Sequence, residues 1–292
     1  MVDVIIPRCN KESLSNTLLS LGMQCNKENI NVYLIGTYDS EIEKFKSFFN
    51  INFIESNEKK LGVLYQIGFN SSNSDYVYFL RPGDVLYDFF ALESLSREMG
   101  NGYDMVIGKN VVKNDLDFID VSYSGIYGKL FRRSFILKNK VLFDDCEMYS
   151  DWSFYLICDL ISNNKDFFDS KVCVLKDDKF LLESVSLKNI DLYNKAVMFF
   201  YEEALKRNLD KSNIIYSLFD ALLNIYKIYN VNIDNKNVND VLVKSMDLYN
   251  AFCDLEKEVD FDKNILYKYN SSLIDINYIS FSEFRDRYER LK

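Results

Sequence analysis

Three places in the chain carry residue types that could do chemistry. The stretch "YVYFLRPGDVL", residues 76–86, begins as an apolar strand and breaks at Arg81, Pro82, Gly83 and Asp84. A strand-end turn of this composition has two readings. It is a plain reversal, with proline pre-setting φ, glycine supplying φ > 0 and Arg81 solvated, or it is a place where a guanidinium meets phosphate. The second place holds Lys129, Arg132 and Arg133 after a short strand. Such bases either hold a phosphate or pair on the surface with Asp144, Asp145 or Glu147. The third is Ser150-Asp151-Trp152 at a helix start. Here Asp151 takes a hydroxyl proton as a general base, or Ser150 or Asp151 caps the helix that continues through Phe154 and Ile157. Trp152, the only tryptophan, lines a pocket beside it or belongs to the core.

What the sequence lacks narrows the chemistry further. There is no histidine, and the six cysteines at 9, 25, 146, 158, 173 and 253 include no C-x-x-C pair. This removes Ser-His and Cys-His triads and most zinc sites, so acid–base work falls to carboxylates, Lys, Tyr or Cys. The thiols read as reduced and mostly buried. With 35 basic against 44 acidic residues the net charge is −9, and no local basic patch offsets it. Nucleic acid is therefore not an expected partner. No apolar run reaches the ~18 to 20 residues that span a bilayer, and Asp3 stands where a signal peptide carries lysines. The expectation is a cytoplasmic protein without a transmembrane segment.

The elements that must position these residues alternate. "VDVII" at 2–6 reads as a strand ended by Pro7, followed by a helix over 13–21 with Leu14, Leu18 and Leu21 on one face. "INVYLIG" at 30–36 is a second strand, 41–49 a second helix, and "INFIES" at 51–56 a third strand. A helix over 61–69 then leads into the strand "DYVYFL" and the turn, with a further helix over 89–99 and the strand "YDMVIG" beyond it. Short strands follow between 117 and 175, with helices near 133–139 and 150–163. This alternation predicts an α/β fold with a mostly parallel sheet, whose ligands bind beyond the carboxyl ends of the strands. Past residue 188 helical spacing takes over, in segments 191–207, 215–229, 238–258 and 280–291. Ser280 and Glu283 form a capping box for the last. The division expected is 1–187 and 188–292, and the apolar stripes of the second part serve its core or a contact with another subunit.

Three stretches resemble family 2 of the inverting glycosyltransferases, which have the GT-A fold. They are "VDVIIPRCN", "GVLYQIGFNSSNSDYVYFLRPGDVL", and "YGKLFRRSFILKNKVLFDDCEMYSDWSFYLICDL" at 127–160, with a fainter likeness in "FLLESVSL" at 180–187. The resemblance runs in the family's order over residues 2 to 187 and implies a GT-A-like three-layer fold followed by an all-helical C-terminal region. It also implies a nucleotide-sugar site at the strand ends, a divalent metal on an Asp-x-Asp turn, and an Asp that deprotonates the acceptor hydroxyl.

Carried over residue by residue, the base is Asp151, and Lys129, Arg132 and Trp152 fall on the acceptor side. Pro7, Asn10, Asp39, Gln66, Arg81 and Asp84 fall at donor-binding positions. The frame F-L-D-x-D-D reads here Phe79, Leu80, Arg81, Pro82, Gly83, Asp84, so both acids of the usual pair are replaced. Asp84 alone is a thin ligand set for Mg2+ or Mn2+, and the resemblance therefore does not bring metal dependence with it. Arg81 stands as a replacement for the cation. The family's other donor residues also differ: Gly36, Thr37 and Tyr38 stand near its acid pair, Leu64, Tyr65 and Gln66 replace Ala-Arg-Asn, and Cys9 stands where an aromatic is usual. The expected activity is inverting transfer from a nucleotide sugar to an acceptor hydroxyl, as in polysaccharide biosynthesis. The alternative is a catalytically inactive domain of this type kept for binding or assembly.

Overall fold

A computed structural model describes residues 1–9, 14–38, 40–113, 117–121, 125–176, 186–259, 261 and 280–291. Its packing divides the chain into two units, Met1–Leu181 and Leu182–Lys292.

The first unit is built on one sheet. Strands β1 (Val2–Arg8), β2 (Ile30–Gly36), β3 (Asn50–Glu55) and β4 (Tyr76–Phe79) pair in parallel in the order β3-β2-β1-β4. Every residue of β1 is buried, which explains why the strand is apolar on both faces. Its one acid, Asp3, is fully buried and accepts bonds from the Asn73 and Ser74 amides, the Ser74 hydroxyl and the Asn31 side chain. A carboxylate so placed pins the start of β4 to β1. Beyond β4 the sheet continues through β8 (Lys129–Arg132), β6 (Met105–Lys113), β9 (Lys165–Leu175) and β5 (Val85–Leu86). β7 (Phe118–Val121) pairs with the far half of β6. β8 is antiparallel to β4 and β6, whereas β6 and β9 are parallel. The carboxyl ends of β1, β2, β4, β6 and β9 and the amino end of β8 therefore share one edge. Helix α2 (Leu61–Ser71) lies on β1 and β2, and α3 (Ala91–Met99) on β6, β8 and β9. α1 (Ser15–Gly22), α4 (Arg133–Lys138) and α5 (Ser150–Ile161) complete the helices described in this unit.

The α/β class and the expected alternation hold, with three local differences. β1 runs through Pro7 to Arg8. The proline is tolerated because pairing with β4 ends at Ile5, so no donor is missed on that side. The segment expected as a helix over 41–49 is a 3-10 turn at Ser40–Lys44 followed by i→i+3 bonds at Phe45 and Phe48. Its three phenylalanines favour an α-helix little, and the tighter turns suffice to bury Ile42 and Phe49. The strand read over 103–108 extends to Lys113 through register shifts on either side of Lys109.

The second unit is helical among the described residues: α6 (Ile190–Lys206), α7 (Lys211–Val231), α8 (Val238–Lys244), α9 (Met246–Glu258) and α10 (Phe281–Glu289). α7 packs against α6, α8 and α9, and an aromatic cluster of Phe219, Phe252, Phe281 and Phe284 fills its core. The segment 238–258 is two helices rather than one. Buried Ser245 separates them, donating to the Val241 carbonyl and bonding the Tyr288 hydroxyl at 2.6 Å. Ser280 caps α10 by accepting from the Glu283 amide. No described helix is long and apolar enough to cross a membrane.

Candidate active site

The turn after β4 is a hydrogen-bonded reversal. The Asp84 amide donates to the Arg81 carbonyl at 3.1 Å, Pro82 and Gly83 hold the two central positions, and Gly83 has φ +96°. This is type II chemistry, which needs glycine at the third position. Thr17 of α1 clamps it from below: its hydroxyl accepts from the Gly83 amide at 2.8 Å and donates to the Asp84 carbonyl at 2.8 Å.

Arg81 is not solvated. Its side chain is 11% exposed and forms a bidentate pair with Asp84, Nε to Oδ2 at 2.7 Å and Nη2 to Oδ1 at 3.0 Å. Asp84 is fully buried, and its Oδ1 also accepts from the Lys176 amide beyond β9. The Arg81 guanidinium lies 4.4 Å from the centre of the Tyr127 ring. The turn is thus the regular reversal expected, but Arg81 is held in a buried ion pair rather than solvated.

Tyr127 extends the cluster to α2, because its hydroxyl bonds that of fully buried Tyr65 at 2.7 Å. Burial, and next the charge of Asp151, push the Tyr65 phenol well above its usual range. Buried Lys129, at the amino end of β8, donates from Nζ to the carbonyls of Gly125 and Tyr127 and lies 4.3 Å from the centre of the Tyr155 ring. Desolvation pulls its ammonium down to about 7, against the opposing influence of Asp151 and Asp159. Cys173 on β9 is buried by the same cluster, and its thiol is pushed up by that burial and by Asp84.

Asp151 lies in the first turn of α5 and is 5% exposed. Neither it nor Ser150 caps the helix. The N-cap is Tyr149, left-handed at φ +65°, with no side-chain cap bond. Ser150 instead donates to Asp144, as does Ser153 at 2.6 Å, and Asp144 also accepts from the Cys146 amide. The start of α5 is fixed from α2 as well. A Cβ on Gly62 would fall 1.9 Å from the Asp144 carbonyl and 2.6 Å from the Ser150 hydroxyl, so only glycine permits this approach. Below, Phe154 stacks on Phe143 at 3.9 Å and meets Phe79 and Phe131 edge-on. The first turn of α5, which carries Asp151, is therefore anchored through Phe154 to an aromatic layer.

The sequence-derived residues separate into groups. Arg81 and Asp84 meet directly, and both act electrostatically on Tyr65, as Asp151 does. Asp151 also acts on Lys129. Pro7 is buried in β1 opposite Ile35, near the same edge. Trp152 is half-buried beside Asp151 in α5. Gln66 accepts from the Phe143 amide and donates to Asn70, tying α2 to the segment before α5. Arg132 stands opposite Tyr76, at the other end of β4 from the turn, and donates to the carbonyls of Tyr103 and Met99. Asn10 and Asp39 lie outside the described residues, as does most of 180–187. The surface pairing expected for Lys129, Arg132 and Arg133 gives way to carbonyls and rings. Asp144 is buried under serines, Asp145 pairs with Lys60, and Arg133 donates to Ser72 over the Phe69 ring.

Thr17, Tyr65, Tyr127 and Lys176 were not singled out as site residues in the sequence. Only Tyr65 carried a signal, as a replacement at a family position.

Among the described residues the donor set of the turn does not fit a divalent cation. The one acid of the turn has Arg81 against both oxygens, and among the described residues no group of three or more Asp, Glu, Cys or His side chains converges to hold a metal. A guanidinium stands where the family has a metal-binding acid.

No family model matches the chain. Over 194 residues it is 26% identical to poly(ribitol-phosphate) beta-N-acetylglucosaminyltransferase TarP of Staphylococcus aureus, covering 57% of this chain and 59% of that one. The match thus spans less than two thirds of TarP. The crystal structure of S. aureus TarS 1–349 with UDP-GlcNAc matches with a TM-score of 0.63 over 87% of this chain and 81% of that one, at 14% identity. The same piece of TarS with UDP gives 0.61 over 89% and 81%, also at 14% identity. The fold is accordingly GT-A-like, and the resemblance to family 2 glycosyltransferases is supported in sequence by the relation to TarP.

Proposed function

We propose that this chain transfers a sugar from a nucleotide-sugar donor to a hydroxyl of a phosphate-bearing polyol or glycan acceptor, by one inverting displacement without a metal ion. The observation that carries the proposal is the buried cluster at the sheet edge, where Asp151 shares Tyr65 with the Arg81–Asp84 turn and also acts on buried Lys129. Asp151 takes the acceptor proton as the acceptor oxygen attacks the sugar carbon. Arg81 supplies fixed positive charge near the departing diphosphate, and Asp84 and the Tyr127 ring hold it in place. The relation to TarP supports an acceptor of the polyol-phosphate class, and TarS bound to UDP-GlcNAc supports a uridine diphosphate sugar as the first donor to try. All six cysteines are thiols, which supports a reducing, cytoplasmic setting.

Thermal shift of the full chain against nucleoside diphosphates and nucleotide sugars, with and without Mn2+, tests the binding half, since a ligand of the native state raises Tm by mass action. The proposal expects a shift with at least one nucleotide that EDTA leaves unchanged, and sugar release that Asp151→Asn abolishes. Strict Mn2+ dependence would overturn the metal-free reading. No shift with any nucleotide, where TarP responds under the same conditions, would overturn the transferase reading and leave an inactive binding domain.

A further inference from the structure

Helix α5 presents Asp151, Tyr155 and Asp159 four residues apart, so the three side chains lie on one face, one turn above another. Lys129 reaches this face from β8 and sits over the middle ring, that of Tyr155, with Nζ 4.3 Å from its centre. An ammonium so placed over the middle ring feels both carboxylates of the stripe. Asp159 already has a cation, because Lys165 donates to its Oδ1 at 2.7 Å and the Tyr155 hydroxyl bonds it at 3.3 Å. Asp151 is the deeper carboxylate, at 5% exposure, and burial by itself favours its protonated form. Two features oppose that. The amino terminus of the twelve-residue α5 is one. Lys129 is the other.

We infer that Lys129 is a positioning residue for transfer: its buried ammonium is the counter-ion that keeps Asp151 ionised and ready to accept the acceptor proton. The inference rests on the reading of Asp151 as the base. The groups facing Lys129 are Asp151, Tyr155 and Asp159 from α5, Cys173 from β9, and the carbonyls of Gly125 and Tyr127 from the segment before β8. Those facing Asp151 include Tyr65 from α2. Below neutrality, where Asp151 would take up a proton, Lys129 is charged, because its ammonium is lost only at about 7 and above.

The test compares the pH dependence of kcat/KM for the unaltered protein, Lys129→Met and Lys129→Arg. Methionine keeps the aliphatic stem and removes the charge, whereas arginine retains it. The acid limb moves upward by about 1 to 3 pH units in Lys129→Met, as expected for a carboxylate losing an adjacent cation, and returns toward its original position in Lys129→Arg. An unmoved limb in a folded, active Lys129→Met protein overturns the inference. A second readout needs neither turnover nor a folded Lys129 variant. The 13C-carboxyl resonance of Asp151, assigned by its loss in Asp151→Asn, titrates in the unaltered protein at or below the ordinary aspartate range. A midpoint above about 6 overturns the inference, since that is the value of a buried carboxyl without a counter-ion. Failure of the underlying reading looks different: activity persists in Asp151→Asn, whatever the resonance does.

Discussion

Replacing Asp84 by Asn probes the turn most directly. The carboxylate is fully buried and grips Arg81 through two bonds of 2.7 and 3.0 Å, while the arginine side chain is 11% exposed. Asparagine keeps the volume and one acceptor for the Lys176 amide but removes the charge, leaving a guanidinium buried without its partner. Removing one member of a buried pair costs ~3 to 5 kcal/mol, far above the ~1 kcal/mol of an exposed pair. In the Met1–Leu181 unit, where ~1 kcal/mol corresponds to ~2 to 4 °C, that is a fall in Tm of about 6 to 20 °C. Trp152 is the only tryptophan and lies in this unit, so its fluorescence during urea unfolding reports this unit and not the helical one. Arg81→Met should cost a similar amount. The double variant Arg81→Met/Asp84→Leu should cost clearly less than the two singles together, with a coupling of at least ~1.5 kcal/mol. Single variants within ~0.5 kcal/mol of the parent, with an additive double, would refute the buried pair and with it the assignment of Arg81 as a fixed charge.

Gly62→Ala forces a Cβ to 1.9 Å from the Asp144 carbonyl and should separate the starts of α2 and α5, costing ~3 kcal/mol and lowering transfer in the same preparation. Thr17→Val deprives the part-buried Gly83 amide and the buried Asp84 carbonyl of their partner and should lower stability by ~1 to 3 kcal/mol, with Thr17→Ser restoring most of it in the same unfolding assay. Lys129 gives a pH signature of defined sign. Its folded ammonium loses its proton near 7, whereas an unfolded lysine holds it to ~10.4. The unfolded state therefore binds more protons between these values, and stability rises with pH across that window. Relative to Lys129→Met, the parent should gain up to ~1.4 kcal/mol per pH unit between pH 7 and 10. Chemical denaturation at four pH values checks this, and a difference that is flat or falls with pH contradicts it.

Much of this was legible along the chain because it depends on local pattern. Doubly apolar strands alternating with helices specify a covered sheet whatever the partners, so the edge that carries Arg81 and Asp84 follows from β1 and β4 being parallel. The Pro-Gly pair specifies its turn through φ alone, and Ser280 caps α10 as its spacing to Glu283 implied. The segment at 41–49 shows where such reasoning ends. Its apolar spacing suits a helix, but the strands on either side need only Ile42 and Phe49 buried, and short i→i+3 turns do that.

What the residues themselves determined was therefore the class of fold, the turn and the carboxylate at the start of α5. What only the tertiary structure decided was which charges meet. Arg81 turns back to its own Asp84, while Lys129 and Arg132, three residues apart in one strand, end at opposite edges of the sheet. Lys129 faces α5, whereas Arg132 faces the carbonyls of Met99 and Tyr103. Neighbouring bases look equivalent in sequence because charge has no periodicity. Burial makes them different, since an ion withdrawn from water must find its partner in whatever element packs against it.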